Sequence, residues 1–289
     1  CKMLDAYTFS NDNVINYISE NFIPLKINAE TKEGSALFQE CNGTGYPLII
    51  FFDKNQNELD RFYGYYPPKE FKIKLENVIN GKNTFPALLT KYNLGDQSSE
   101  TMFELASKYF DRGNDSVASN LYNQVIKHSN VSYQLFHQSK FSLGVIGLND
   151  GHVLLERYIL EYPDTPHLYE AITSLLQYFN KNNFEEMELN YYNRYIEKFS
   201  ADPWFLNQFS WRMTELNINL DLALEKINLS LDLIGNDKKN RAMILDTKAE
   251  IYWKLDQIND AILMINESIT LDPENEYYQN QKNKFLESI

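Results

Sequence analysis

The chain has 289 residues, of which 43% are hydrophobic and 23% are charged, with 11 Gly and 9 Pro. This composition is typical of folded protein and excludes extended disorder, and the length suits about two domains. Lys and Arg number 27 against 40 Asp and Glu, so the formal net charge of −13 repels phosphate backbones and predicts no nucleic-acid partner. No run of about 18 apolar residues occurs, and we therefore predict no membrane span.

Cysteine and histidine usage restricts the chemistry further. Two cysteines exclude a disulfide-stapled scaffold and leave one redox centre with one spare thiol. The histidines fall in predicted helices without the spacing of metal ligands, so we expect neither a metal site nor a cofactor. They are His128, His137, His152 and His167.

The first part of the chain is predicted to contain helices and one strand. Capping residues at 10–13 and apolar side chains at helical spacing over 14–22 predict the second segment of a kinked helix, whose first segment holds Cys1. Residues 22–28 alternate as a strand does, and residues 31–41 predict a further helix. The residues of that helix expected to face inward are Ala36, Leu37 and Phe38.

A hairpin and a closing helix are predicted next. The continuous apolar run from Leu48 to Asp53 is typical of a buried strand. Polar residues 54–57 turn the chain back into a second strand at 58–64. Pro67 then begins a helix that extends to about residue 80, since proline has the fixed φ of a first helical turn.

This order of elements resembles a thioredoxin-family domain from the last cysteine of its C-x-x-C motif onward. The features that carry the resemblance are Cys1-Lys2-Met3, the helix break at Thr8-Phe9-Ser10, Gly45-Tyr46-Pro47 before the apolar strand, and the hairpin end at Gly64-Tyr65. The resemblance implies an α/β thioredoxin-like fold that is incomplete. Its central strand and its first active-site cysteine would precede Cys1, so we expect the chain to be a fragment.

The resemblance also implies roles for individual residues. Cys1 would be the resolving thiol, and Tyr46 with a cis Pro47 would contact the substrate. In such domains a helix N-terminus favours the thiolate, one cysteine attacks a disulfide and the second resolves the mixed disulfide. Taken alone, Cys1 favours a buried structural cysteine, and only its combination with the other features named above favours the redox role. For Cys41 we expect a structural free thiol, with a regulatory cysteine as the alternative.

The implied absence of the central strand and of the first active-site cysteine has two consequences. Strands at 22–28 and 48–53 would keep unpaired backbone groups where the missing strand belongs, which predicts weak stability for this part alone. With its attacking cysteine missing, the chain is expected to show no turnover in insulin-disulfide reduction.

A short connecting helix is predicted at 84–94. After it, the pattern of small and large apolar residues repeats about every 34 residues, which is the length of a tetratricopeptide (TPR) helix pair. We predict five units, the middle three at about 133–163, 167–199 and 204–234, and a polar terminal helix at 274–289. Trp211, Tyr252 and Trp253 are expected in the core rather than in a binding groove. In the first repeat, one helix is expected to pack through Leu105, Ala106 and Tyr109 against Ala118, Tyr122 and Val125 of the next helix. The last repeat has the small and large residues of the TPR pattern at Leu245, Ala249, Tyr252, Ala261, Ile265, Ser268 and Pro273.

The sequence therefore predicts a thioredoxin-like domain at 1–83, a helical linker at 84–98 and an all-α TPR solenoid at 99–289. The resemblance implies a thiol-disulfide oxidoreductase or protein-disulfide reductase that acts on protein or peptide substrates, with a partner protein on the concave face of the repeats. This arrangement is familiar in bacterial periplasmic or secreted proteins, which favours those compartments over the cytoplasm. The alternative is a non-enzymatic TPR adaptor with a redox-inactive thioredoxin-like domain.

Overall fold

The computed structural model describes residues 1 and 3–287. Lys2 of the opening motif and residues 288–289 of the predicted terminal helix lie outside this part. The chain divides into two compact units, Cys1–Tyr178 and Phe179–Ile289. In the described part, one two-stranded sheet is followed by a long all-helical array.

The helical elements follow the predicted order. The first unit contains a π-helix (Leu4–Thr8), α1 (Asp12–Asn21), α2 (Lys32–Glu40), α3 (Pro68–Ile79), α4 (Phe85–Asn93), α5 (Ser99–Phe110), α6 (Asp115–Lys127), α7 (Tyr133–Gly147) and α8 (Val153–Glu161). Helix α9 (Leu168–Lys181) includes the boundary between the units. The second unit contains α10 (Glu185–Tyr195), α11 (Pro203–Leu216), α12 (Leu220–Leu233), α13 (Lys238–Lys254), α14 (Ile258–Leu271) and α15 (Glu276–Leu286).

The sheet is an antiparallel hairpin of β1 (Leu48–Phe52) and β2 (Glu58–Tyr63), in which Leu48 pairs with Tyr63 and Phe51 with Asp60. The carboxylate of Asp53 accepts the backbone N–H groups of Asn55 and Asn57, each at 2.8 Å, and so closes the predicted turn. Helices α1 and α3 pack on each other, and they share one apolar core with the hairpin. That core consists of Val14, Phe51, Phe62, Phe71, Leu75 and Val78.

The strand predicted at residues 22–28 does not form. This segment has no regular secondary structure, and Ile23 and Leu25 are 98% and 81% exposed. A strand needs a neighbour for its backbone N–H and C=O groups, and in the described residues the sheet contains only β1 and β2. Alternating apolar residues alone were therefore insufficient to make this segment a strand.

The inward face predicted for α2 was also wrong. Ala36 and Leu37 are exposed and Phe38 is half-buried, whereas the buried residue of this helix is Gly34. The helix approaches the preceding backbone so closely at Gly34 that a β-carbon there would lie 2.0 Å from the carbonyl oxygen of Asn28. A close backbone contact, and not an apolar face, therefore orients α2.

The apolar run of β1 is less buried than predicted. Phe51 is buried in the core, but Phe52 is 53% exposed and the first three residues of the strand are half-buried. The core cluster covers one face of the hairpin, so successive side chains alternate between core and solvent.

We expect Gly34→Ala to lower the free energy of unfolding by about 1–3 kcal/mol, because the added methyl group would overlap a backbone oxygen. Gly45→Ala is the matched control, since its β-carbon would meet nothing closer than a ring carbon of Tyr63 at 3.9 Å. Urea unfolding of both variants measures the difference. A Gly34→Ala chain as stable as the parent would show that α2 does not approach the carbonyl oxygen of Asn28 this closely.

The first predicted repeat is confirmed. Helices α5 and α6 pack against each other, and Ser107 Oγ lies 3.0 Å from the hydroxyl of buried Tyr122. Small Ala106 and Ala118 are fully buried, which lets the two helices approach closely. The cluster contains Leu88, Met102, Leu105, Ala106, Ala118, Leu121, Tyr122 and Val125, with Tyr109 packed on it.

The second unit repeats the same packing. Ser210 Oγ of α11 donates to the carbonyl oxygen of Ala223 in α12 at 3.0 Å, and Ala249 of α13 is buried with Ala261 of α14. Helix α15 adds Tyr278 and Phe285 to that last cluster. The polar terminal helix thus covers the end of the repeats through two aromatic side chains.

Candidate functional site

The loop before β1 forms the first part of the candidate site. The Tyr46–Pro47 peptide bond is cis, as the thioredoxin resemblance implied. The carbonyl oxygen of Pro47 accepts the N–H of Gly64 at 3.0 Å, which ties the loop to the far end of the hairpin. Tyr46 is 60% exposed, and its ring stacks on Phe38 of α2 with centroids 4.4 Å apart. An aromatic surface therefore faces solvent beside the start of the strand.

A second contact supports this loop from β2. The backbone N–H of Thr44 donates to the hydroxyl of Tyr63 at 3.3 Å. That hydroxyl in turn donates to the carbonyl oxygen of Asp111, at the end of α5, at 3.1 Å. The position of the loop thus depends on the hairpin and on the first repeat.

Cys1 lies in a different element from the Tyr46–Pro47 loop. It is exposed and precedes the π-helix, and its carbonyl oxygen accepts the N–H of Asp5 at 3.2 Å. Asp5 also binds Lys26 Nζ at 2.7 Å, in an exposed ion pair. A π-type turn is a frequent feature of functional sites, and here it begins at Leu4, three residues after the cysteine.

Cys41 has a more enclosed environment. It caps the C-terminal end of α2, is half-buried, and its carbonyl oxygen accepts Arg61 Nη1 at 2.6 Å. Burial raises the pKa of the Cys41 thiol, and the nearby Arg61 charge offsets this only in part. Since the thiolate is the reactive form, Cys41 is the less reactive type of cysteine.

A buried ionic cluster between β2 and α5 was not predicted from the sequence. Lys108 Nζ contacts both carboxylate oxygens of Asp60 at 2.6 and 2.7 Å, and Arg61 pairs with Glu58. Arg112 also reaches Glu58, at 2.5 Å. Asp60 and Arg61 are only 5% and 4% exposed. The sole signal was the set of three charged residues, Glu58, Asp60 and Arg61, inside the strand ELDRFY.

Asp111 lies at the edge of this ionic cluster. Burial raises the pKa of its carboxyl group to about 6, although Lys108 and Arg112 act in the opposite direction. Arg112 also stacks over the ring of Phe85, with its guanidinium carbon 4.1 Å from the ring centroid. The hairpin is therefore joined to α5 by buried charges as well as by hydrogen bonds.

Over residues 1 and 3–287, no group of three or more His, Cys, Asp and Glu side chains is arranged to hold a metal ion. None of the helices in that part has the length and apolar character needed to cross a bilayer.

The N-terminal part of the chain is similar to a known domain family and to known proteins. Residues 1–79 match the thioredoxin-like domain family. The thiol:disulfide interchange protein DsbD of Yersinia enterocolitica is 32% identical over 81 residues, which are 27% of this chain and 14% of that protein. The DsbD protein of Pectobacterium atrosepticum is 30% identical over 79 residues. The chain thus spans about one seventh of the length of these curated relatives.

The fold of the helical part also has a solved counterpart. The crystal structure of YrrB, a TPR protein with an unusual peptide-binding site, superposes with a TM-score of 0.50 at 13% identity. The superposition covers 68% of this chain and 98% of YrrB. Residues 1–79 therefore belong to the thioredoxin-like domain family, and the helical array that follows has the TPR fold.

Proposed function

We propose that the chain takes part in thiol-disulfide exchange, with Cys1 as the resolving thiol and with Tyr46 and Pro47 as the substrate-contacting wall. The helical array serves to hold the protein partner. The proposed boundaries are 1–83 for the thioredoxin-like domain, 84–98 for the linker and 99–289 for the repeats. The observation that carries the proposal is the match of residues 1–79 to the thioredoxin-like family, and this matched stretch contains the exposed Cys1 and the Tyr46–Pro47 loop.

The similarity to DsbD supports the type of reaction. The curated relatives are thiol:disulfide interchange proteins, and the aligned stretch is about the length of the thioredoxin-like part. In the proposed step, the Cys1 thiolate attacks the mixed disulfide between a substrate and the attacking cysteine that the thioredoxin resemblance implies. A new S–S bond forms at Cys1, the old S–S bond breaks, and the second sulfur leaves as a thiolate that takes up a proton.

The geometry of the loop supports substrate contact by Tyr46. Its ring is held by stacking on Phe38 and yet remains largely exposed, so it can cover an incoming peptide without first becoming ordered. Peptide binding by the repeats is proposed by analogy with YrrB, a TPR protein with an unusual peptide-binding site.

The test compares two disulfides, oxidised glutathione and a longer disulfide-linked peptide, by mass spectrometry of the mixed disulfide on the chain. We expect Cys1→Ser to abolish the fast adduct and Cys41→Ser to retain it, because Cys1 is exposed and Cys41 has a raised pKa. Tyr46→Ala should slow the reaction with the peptide about tenfold and the reaction with glutathione less. Tyr65→Ala, an exposed aromatic at the hairpin end, is the matched control.

Equal adduct formation by the Cys1→Ser chain would reject the assigned role of Cys1. If no adduct forms at Cys1 with either disulfide while peptides still bind the chain, the protein is a non-enzymatic TPR adaptor and the thiol-disulfide exchange proposal is rejected. Equal rates for the Tyr46→Ala and Tyr65→Ala chains would remove Tyr46 from the substrate wall.

A further inference from the structure

Two side chains of β2 hold the loop between α2 and β1. The carbonyl oxygen of Cys41 accepts Arg61 Nη1 at 2.6 Å, and the N–H of Thr44 donates to the Tyr63 hydroxyl at 3.3 Å. The half-buried ring of Tyr63 also lies against the loop, since a β-carbon on Gly45 would meet it at 3.9 Å. The middle of the loop therefore rests on Tyr63.

The same two side chains reach the C-terminal end of α5. The Tyr63 hydroxyl donates to the carbonyl oxygen of Asp111 at 3.1 Å, and Arg61 Nη1 lies 3.4 Å from that oxygen. The last carbonyl groups of a helix have no partner within the helix. Those of Tyr109 and Phe110 accept backbone N–H groups of the turn that follows, whereas the carbonyl of Asp111 accepts side chains of the hairpin.

The end of α5 is a fixed support because buried charges attach it to β2. Lys108 Nζ contacts both carboxylate oxygens of Asp60, which is 5% exposed. Arg112 lies 3.8 Å from the same carboxylate, and its Nη1 atom donates to the carbonyl oxygen of Lys108 at 2.8 Å. Separating such groups would leave a buried charge unpaired. A continuous set of contacts thus leads from the first repeat through Tyr63 to the loop.

We propose that Tyr63 is a positioning residue through which the C-terminal end of α5 fixes the Tyr46–Pro47 loop, so that the first repeat determines how well the chain accepts polypeptide disulfides. A hydroxyl suits this role because it accepts the N–H of the loop and donates to the helix carbonyl at the same time. The inference rests on the proposed function, since it takes Tyr46 and Pro47 as the wall that contacts the substrate. It goes further by assigning substrate selectivity to a residue that acts only through that wall.

Loss of the Tyr63 hydroxyl should affect large and small disulfides differently. A polypeptide needs Tyr46 in place along its chain, whereas the exchange of sulfur atoms takes place at Cys1, which lies in a different element. The effect should therefore appear in the peptide concentration that gives the half-maximal rate, and little in the limiting rate. A general loss of folded structure would lower the rate with glutathione as well.

The experiment measures adduct formation at Cys1 by mass spectrometry over a range of concentrations of the disulfide-linked peptide and of oxidised glutathione. Tyr63→Phe removes the hydroxyl and keeps the ring. We expect it to raise the half-maximal peptide concentration about fivefold, with the limiting rate and the glutathione rate within about twofold of the parent. Tyr65→Phe is the matched control, because its ring is 39% exposed, and it should behave as the parent does.

Hydrogen exchange of the Thr44 N–H is a readout that does not depend on the chemistry. We expect this amide to exchange about fivefold faster in the Tyr63→Phe chain, as followed by NMR, because it loses its acceptor. The N–H of Gly64, which donates to the carbonyl oxygen of Pro47, should keep its protection. Unchanged exchange of Thr44 would overturn the role of Tyr63.

Lys108→Met tests the contribution of the first repeat. Lys108 belongs to α5 and binds Asp60, and so it holds the end of the helix against β2. Under conditions in which the variant remains folded, we expect a severalfold rise in the half-maximal peptide concentration. In the Tyr63→Phe background the same substitution should add less than about twofold, because the contact that transmits its effect is already lost.

An unchanged half-maximal peptide concentration in the Tyr63→Phe chain, or an equal loss with glutathione, would overturn the inference. Additive effects of Tyr63→Phe and Lys108→Met would also overturn it, because the loop would then be independent of the first repeat. If Cys1 of the parent chain forms no adduct with either disulfide, the proposed function fails. The exchange of the Thr44 N–H would still decide whether Tyr63 holds the loop, so the two failures are distinguishable.

Discussion

Replacing Lys108 with methionine is expected to lower the free energy of unfolding by about 3 kcal/mol, because it removes the cation from a buried carboxylate. Asp60 is 5% exposed and contacts Lys108 Nζ through both oxygens. Arg112 remains near this carboxylate, with its Nη2 atom 3.8 Å from Asp60 Oδ1. Chemical denaturation of the whole chain measures the loss.

The double variant Lys108→Met with Asp60→Asn should recover part of this loss, because the carboxylate left without its cation is then also removed. Lys26→Met is the matched control. It breaks an ion pair with Asp5 whose side chains are 77% and 45% exposed, and it should cost less than about 1 kcal/mol. If the two lysine variants lost the same stability, the cluster between β2 and α5 would be solvated rather than buried.

Phe209→Ala is expected to cost about 3–5 kcal/mol in the second unit, because it leaves a cavity in the core of α11. Phe209 is 1% exposed, and its ring meets that of Tyr192 edge-on at 5.6 Å. Because repeats are stabilised by their neighbours, the loss should appear first as early unfolding of residues near α10 to α12. Hydrogen exchange followed by mass spectrometry resolves this region from the rest.

Trp204→Ala tests whether the effect depends on burial. Trp204 is an aromatic residue of the same helix, but it is 37% exposed, so its removal should cost about 1 kcal/mol or less. Similar protection losses in the Phe209→Ala and Trp204→Ala chains would contradict the described core.

The candidate site could be predicted only in part. The Gly-Tyr-Pro junction, the break between the first two helical segments and the hairpin follow from local residue order, and the structure contains each of them. The π-helical form of the first segment was not predicted. The stacking of Tyr46 on Phe38 joins segments that no local pattern connects. The ionic cluster involving Asp60 and Lys108 pairs residues from β2 and α5, and a sequence shows such charges without showing which of them meet.

The sequence by itself determined the helices, the hairpin and the repeating pairs, because these depend on periodicity, capping residues and small residues within a few turns. The tertiary structure alone decided the state of residues 22–28, the orientation of α2 and the burial of charged groups. A strand requires a hydrogen-bonding neighbour, a helix face is selected by what approaches it, and a carboxylate is buried only where a distant cation or donor meets it. Those conditions involve residues far apart in the chain, and they are met or missed only when the chain is folded.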